Sequence, residues 1–315
     1  MDATRYLGEL GILGMNRRNA DYIMALNPRS AYPRVDDKAL TKQLAAAHQI
    51  PTPPLYHILE YHGDLAAFDK AVSDHPAFVV KPARGTGGSG IVLVADRASN
   101  GFVKPSGEVI SRENLIYHIS GILSGVYSLE GLEDRALIEG LVTPAPVFAA
   151  ITYQGVPDIR IIVCRGIPLM AMARLPTRAS DGKANLHRGA IGVGIDLRSG
   201  RTLQGVHHTF VIGRHPDTGH PVSGIEVPYW EEMLRIAARC GEMAGLGYVG
   251  VDLVVDQARG PLLLELNARP GLAIQIANRD GLYRRLKKID QAASEIFATP
   301  ESRVAWAMEA FRTID

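Results

Sequence analysis

The chain has 315 residues, 46% hydrophobic and 21% charged, which is enough for a full core and too ordinary a balance for wholesale disorder, collagen-like sequence or a coiled-coil rod. Lysine and arginine number 34 against 33 acidic residues, so the formal charge of +1 gives no overall electrostatic reason to expect nucleic acid or an anionic membrane as partner. The two cysteines, Cys164 and Cys240, lie far apart among apolar or helical neighbours, which argues against a disulfide framework or cysteine metal site and predicts buried free thiols. No window approaches the ~18 apolar residues of a membrane-spanning helix. No basic start leads into an apolar run either, so the cytoplasm is the expected location.

Residues 1–35 are turn-rich and polar, with room for a short helix around 18–26. Good helix formers over 38–48 predict a helix that ends before Ile50-Pro51-Thr52-Pro53-Pro54, which is extended. A buried strand at 77–81 leads through Pro82 into Arg84, Gly85, Thr86, Gly87, Gly88, Ser89 and Gly90, and a second strand follows at 91–94. The P-loop and the Rossmann fingerprint both need a helix directly after the glycines, and Gly-Lys-Ser/Thr is absent, so strand, glycine loop, strand argues against both. A helix at 111–125 and the end of a short strand at 136–139 precede an antiparallel meander at 147–153, 158–164 and 167–174. Helical periodicity over 228–244, with Pro228 as first helical residue, leads to strands at 248–255 and 261–267, and one or two helices close the chain over 290–312.

Three groups of residues could carry chemistry. If 251–255 and 262–266 form a hairpin, pairing Val255 with Leu262 sets Asp252 opposite Glu265, and Asn267 falls on the same face. Carboxylates facing each other in a largely apolar sheet need protons, cations or a metal, and an all-oxygen set suits Mg²⁺ or Mn²⁺; an exposed, solvated sheet face is the bland alternative. The glycine loop lets backbone N–H groups approach phosphate oxygens, although a flexible hairpin turn has the same composition. Lys81 strengthens the phosphate reading, because an ammonium after Phe78, Val79 and Val80 calls for an anion that a phosphate would supply. Lys183, Asn185, His187 and Arg188 share one loop that could contact triphosphate or a substrate carboxylate, with a solvated turn as the alternative. His187 is more readily a loop-holding residue than a general base, and the histidines at 207, 208, 215 and 220 are assigned to structure or surface.

Taken in order, Asp37-Lys38, Lys81, the glycine loop, Ile138-Glu139-Gly140, Asp158-Ile159-Arg160, Asn185-Leu186-His187-Arg188-Gly189, Gly250-Val251-Asp252 and Glu265-Leu266-Asn267-Ala268-Arg269-Pro270-Gly271 resemble an ATP-grasp ligase. The likeness covers residues 36–290 and is nearest to RimK-like α-L-glutamate ligases, with the N-terminal arginines similar to those of a sugar-transfer-associated ATP-grasp group. It implies an α+β fold of two lobes, split near 139, with nucleotide held between antiparallel sheets. A leader at 1–35 and a helical tail at 291–315 are expected to flank this unit, with no full N-terminal domain expected ahead of it. Extra stretches near 101–135 and 203–227 are expected to replace the missing substrate wall.

By the same resemblance Lys38 and Lys81 would hold the ATP phosphates under the loop from Arg84 to Gly90. Glu139, Gly140, Leu141 and Val142 would meet adenine, Asp158 the ribose, and Lys183 and Asn185 the triphosphate. Lys183 and Arg188 would serve catalysis, while Asp252, Glu265 and Asn267 would hold two magnesium or manganese ions. The implied reaction joins a small-molecule or peptide carboxylate to an amine through an acyl phosphate, adding glutamate or another amino acid. A phosphotransferase that stops at the phosphorylated product and a non-catalytic ATP-binding interaction protein are the alternatives. No nucleic-acid partner is implied, and a homo-oligomer stays open.

Overall fold

The structure, a computed structural model, describes residues 8–85, 87–128 and 131–311. The chain divides into two compact units, a smaller one of residues 36–43 and 52–143 and a larger one of the remaining segments. Both mix helices with antiparallel sheets, which makes the chain α+β.

Among the described residues the smaller unit contains strands β1 (Leu55–Leu59), β2 (Phe78–Pro82), β3 (Val92–Val94), β4 (Asp96–Ala98), β5 (Gly101–Val103), β6 (Val109–Ser111) and β7 (Ala136–Gly140). A four-stranded sheet runs β1-β7-β2-β3 and a three-stranded sheet β4-β5-β6. Phe78 and Val80 of β2 and Ala136 and Ile138 of β7 alternate into one core. There Phe68, Phe78 and Phe102 meet edge to face with centroids 5.4–6.2 Å apart. The helix Arg112–Leu123 closes this core through Leu115, Ile119, Ile122 and Leu123, spaced on one helical face, and Ser111 caps it by accepting the Asn114 N–H. Alternate residues of the same strands face the other way, where Leu137 packs with Ala39 and Ala83.

The larger unit is built on a seven-stranded sheet of described residues: β8 (Asp158–Cys164), β9 (Ile167–Leu175), β10 (Ile191–Ile195), β11 (Thr202–His207), β12 (Phe210–Ile212), β13 (Tyr248–Asp256) and β14 (Gly260–Asn267), ordered β12-β11-β10-β9-β8-β13-β14. Every residue of β8, β10 and β13 is buried, which matches their near-continuous apolar sequence. Helices Trp230–Ala244, Ala273–Asn278, Leu282–Asp290 and Pro300–Ala310 pack against the sheet.

Residues 8–35, expected to be a polar leader, bury Leu13, Tyr22, Ile23, Ala31 and Val35 in the same core. Their helical stretch Arg18–Met24 has the wider π winding. Asn27 stitches them to the sheet: its Nδ2 donates to the carbonyls of Tyr248 at 2.6 Å and Ala268 at 3.0 Å, and its Oδ1 accepts the Tyr248 N–H at 2.9 Å.

Three local expectations are corrected. Residues 147–153 contain no strand; Pro146–Ala149 is a short helix, because Pro146 sits where a helix start needs no N–H donor and Phe148 finds a buried place. Pro228 lies outside its helix, which begins at Trp230 after Tyr229 adopts a left-handed conformation. Val255 pairs with Pro261 rather than Leu262, and a bulge next to Asp252 absorbs the one-residue difference, so Asp252 still faces Glu265.

Candidate active site

In the smaller unit Lys81, expected at the ATP phosphates, and Glu139, expected at adenine, meet with Lys42 in a buried charge cluster. β2 and β7 pair Val79 with Glu139 and Lys81 with Leu137, which makes Lys81 and Glu139 diagonal neighbours on one face. Lys81 Nζ lies 2.8 Å from Glu139 Oε2. The anion that Lys81 calls for, expected to be a phosphate, is here this carboxylate. Lys42, one turn after Lys38 on the helix Lys38–Ala47, reaches the other oxygen at 3.2 Å and donates to the Pro53 carbonyl at 2.6 Å. All three residues are buried, at 8% exposure or less. Burial pushes the Lys42 ammonium down to about 8, with the neighbouring charge of Lys81 adding to the fall and Glu139 opposing it.

Lys38 stands beside this cluster, its backbone N–H donating to Ala83 at 2.9 Å and its Nζ to the Gly85 carbonyl at 2.7 Å. Asp37 caps the helix by accepting the Ala39 and Leu40 N–H groups, and its other oxygen takes Arg135 at 2.5 Å and faces Arg84 at 3.5 Å. The glycine loop is anchored at both ends: Gly85 bridges to Ser128, and the Gly90 carbonyl lies 2.9 Å from His118 Nε2. Gly87, Gly88 and Gly90 have positive φ, and a Cβ on Gly90 would meet the Tyr127 ring at 2.7 Å. Ser89 is half-buried in this loop, and Thr86 lies outside the described residues. Gly140 donates its N–H to Pro54 at 2.8 Å, and Leu141 and Val142, half-buried, follow.

In the larger unit one sheet face carries a row of charges. Strand register sets Arg160 opposite Asp252 and Asp252 opposite Glu265, while Asp158 lies opposite Arg174. Arg160 grips Asp252 through two N–H groups, one of them 2.6 Å from Oδ2, and Arg174 Nη2 adds a bond to the same oxygen at 2.8 Å. Arg174 is also bidentate to Asp158, at 2.5 and 2.6 Å. Burial raises the Asp252 carboxyl, but Arg160 and Arg174 outweigh it and hold the group below the usual carboxylate range. For Asp158 burial wins over Arg174, with help from the Asp252 charge, and lifts the carboxyl to about 6.

Glu265 and Asn267 follow on the same face, both half-buried, and Asn267 Oδ1 accepts the Arg269 N–H at 2.8 Å. Gly250 makes room beside them, since a Cβ there would meet Pro270 at 2.8 Å. Among the described residues no three His, Cys, Asp or Glu side chains are grouped to hold a metal, so a site here needs the amide oxygen of Asn267. The all-oxygen set of Asp252, Glu265 and Asn267 fits a hard dication by chemistry and by shared face, with Asp252 also balanced by two guanidinium groups.

The third group lies on the β9–β10 connection. Asn185 caps the turn Leu186–Arg188 by accepting the His187 N–H at 3.0 Å, and Gly189 ends it in the left-handed region. Lys183 is 3.5 Å from the exposed Asp181, and Arg188 is exposed. His207 and His215 take structural places, 3.1 Å from the Gly189 carbonyl and 2.9 Å from the Pro176 carbonyl. Lys42, Arg135, Arg160 and Arg174 of these clusters have no role in the sequence reading, although Arg160 stands in one of its motifs. Lys42 repeats Lys38 at helical spacing, and Arg160 and Arg174 are charges inside otherwise apolar strands.

Residues 17–291 match the family described as sugar-transfer associated ATP-grasp. The ribosomal protein bS6--L-glutamate ligase of Salmonella paratyphi B is 26% identical over 247 residues, which are 78% of this chain and 60% of that protein. The same enzyme from Salmonella newport matches equally. The chain thus spans less than two thirds of the length of these relatives. Among solved structures, the ATP complex of D-alanine--D-alanine ligase from Bacillus anthracis superposes with a TM-score of 0.46 at 16% identity, covering 85% of this chain and 67% of that one. D-cycloserine synthetase DcsG gives 0.47 at 15% identity over 84% and 72%.

Proposed function

The chain belongs to the sugar-transfer associated ATP-grasp family, and from that premise we propose that it is an ATP- and Mg²⁺-dependent ligase that joins a carboxylate to an amine, adding glutamate or another amino acid. The observation that carries this reading is the sheet face on which Asp252 lies opposite Glu265, with Asn267 one step along. Magnesium, when bound there, would neutralise charge on phosphate oxygens. In the smaller unit Lys38, Lys81 and the loop from Arg84 to Gly90 would hold the phosphates. Glu139 to Val142 would meet adenine and Asp158 the ribose, while Lys183 and Asn185 would contact the triphosphate.

A substrate carboxylate oxygen attacks the γ-phosphorus and the bond to ADP breaks, giving an acyl phosphate. The amine nitrogen then attacks the carbonyl carbon, phosphate leaves, and the amine proton passes to solvent. Arg188 and Lys183 would stabilise the developing charge, and a closed glycine loop would keep water from the acyl phosphate. The test is ADP release, with product mass, across paired acids and amines. Release that requires both, with an amide product, is expected; a stable phosphorylated product would convert the reading to a phosphotransferase, and no ATP turnover in any pair would overturn it.

A further inference from the structure

Glu139 is shared. Each of its carboxylate oxygens faces a different lysine, Oε2 facing Lys81 at 2.8 Å and Oε1 facing Lys42 at 3.2 Å, and all three groups are buried. A carboxylate paired with one ammonium is neutral, and a buried neutral pair presents little charge to a polyanion. Two ammonium groups against one carboxylate leave a net positive charge, and Coulomb forces in a partly desolvated site make that charge count for more than it would in water. We infer that Lys42 is a positioning residue that divides the charge of Glu139 and so leaves Lys81 positive toward the phosphates of a nucleoside triphosphate. This rests on the proposed ATP-dependent function and adds to it a residue that touches no ligand.

The charged groups facing Lys42 are Glu139 from β7 and Lys81 from β2, and the Pro53 carbonyl ahead of β1 accepts its third contact. Lys38 lies one turn earlier on its own helix. Burial lowers Lys42 to about 8, so the extra charge is present at neutral pH and is lost as pH rises through that value. An arginine would keep the charge at any working pH.

The experiment measures binding of ATP and of adenosine by the full chain with Mg²⁺, at several pH values between about 6 and 9.5, for the wild type, Lys42→Met and Lys42→Arg. Adenosine reads the base and ribose contacts without the phosphates. The expected results are wild-type ATP affinity that falls above about pH 8, about tenfold weaker ATP binding by Lys42→Met at pH 7 with a clearly smaller change for adenosine, and Lys42→Arg holding its ATP affinity to the top of the range. Equal ATP affinity of Lys42→Met and wild type, or equal loss for ATP and adenosine, would overturn the inference. If Lys42→Met does not fold, Lys42→Arg decides: above pH 8 it must bind ATP more tightly than wild type, and failure to do so refutes charge sharing. A wild type that binds no ATP would instead remove the function on which the inference rests.

Discussion

Arg160 meets Asp252 across the β8–β13 pairing with two nitrogens on two oxygens, and both residues are buried. Breaking such a pair from one side leaves a buried charge short of its partner. Arg160→Met should therefore destabilise the larger unit by about 3–5 kcal/mol, read as a lowered urea midpoint at neutral pH. An unchanged midpoint would show that Arg174 alone satisfies Asp252.

The two aspartates of this cluster act on stability with opposite sign. Asp252, held low when folded, stabilises above its unfolded value of about 4, and that contribution is lost as pH falls through the folded value. Asp158, raised to about 6, keeps a proton in the folded chain that the unfolded chain has released. Stability therefore falls with rising pH across the window from about 4 to 6 because of this group. Asp158→Asn should flatten that slope in urea titrations made across the window, whereas an unchanged slope would assign it elsewhere.

Glu265→Gln keeps size but removes a charge and turns one acceptor oxygen into a donor. If Glu265 holds magnesium, the variant should lose ATP turnover with a melting temperature close to wild type, and added Mn²⁺ or excess Mg²⁺ should recover a small part of it. Full activity at ordinary magnesium would exclude the metal role.

Gly250→Ala tests the space beneath Pro270, where the new methyl would come within 2.8 Å of the ring. A loss of about 1–3 kcal/mol by thermal denaturation is expected from the overpacking. Turnover should fall with it, since Pro270 follows closely on Asn267.

Cys164 and Cys240 are free and buried, and burial pushes both thiols up to about 12. A thiol-specific reagent at mildly alkaline pH should label neither in the folded protein and both in urea. Labelling of the native chain would place a thiol at the surface.

Asn27→Ala removes three hydrogen bonds between the N-terminal residues and the sheet, leaving the buried Tyr248 N–H without its acceptor. A cost of about 1–3 kcal/mol is expected, and faster hydrogen exchange should appear at Tyr248. Unaltered exchange there would mean that the backbone is held by other contacts.

What could be read from the sequence was what depends on neighbours in the chain. The helix at Lys38–Ala47, the strands flanking the glycine loop and the long strands of the larger sheet all announce themselves by run length and composition. The stretch at 147–153 misled because its apolar residues suit a strand, while Pro146 and a buried seat for Phe148 make a helix start there. The partners of Asp252 were hidden for a different reason. Arg160 is 92 residues away, and nothing local states that β8 lies beside β13. Lys42 was equally silent, because its role depends on Glu139, which arrives from a strand almost a hundred residues later.

The bulge beside Asp252 has a consequence for how the acidic face could arise or be lost. On the turn side of the bulge the strands are in one register and on the far side in the next, so one additional residue reverses the parity of everything beyond it. Carried on without the bulge, the turn-side register would set Asp252 against Leu264 and send Glu265 and Asn267 to the opposite face. A single-residue insertion or deletion in β14 is therefore a switch between a face that gathers side-chain oxygens and one that scatters them, with no change in any side chain's identity.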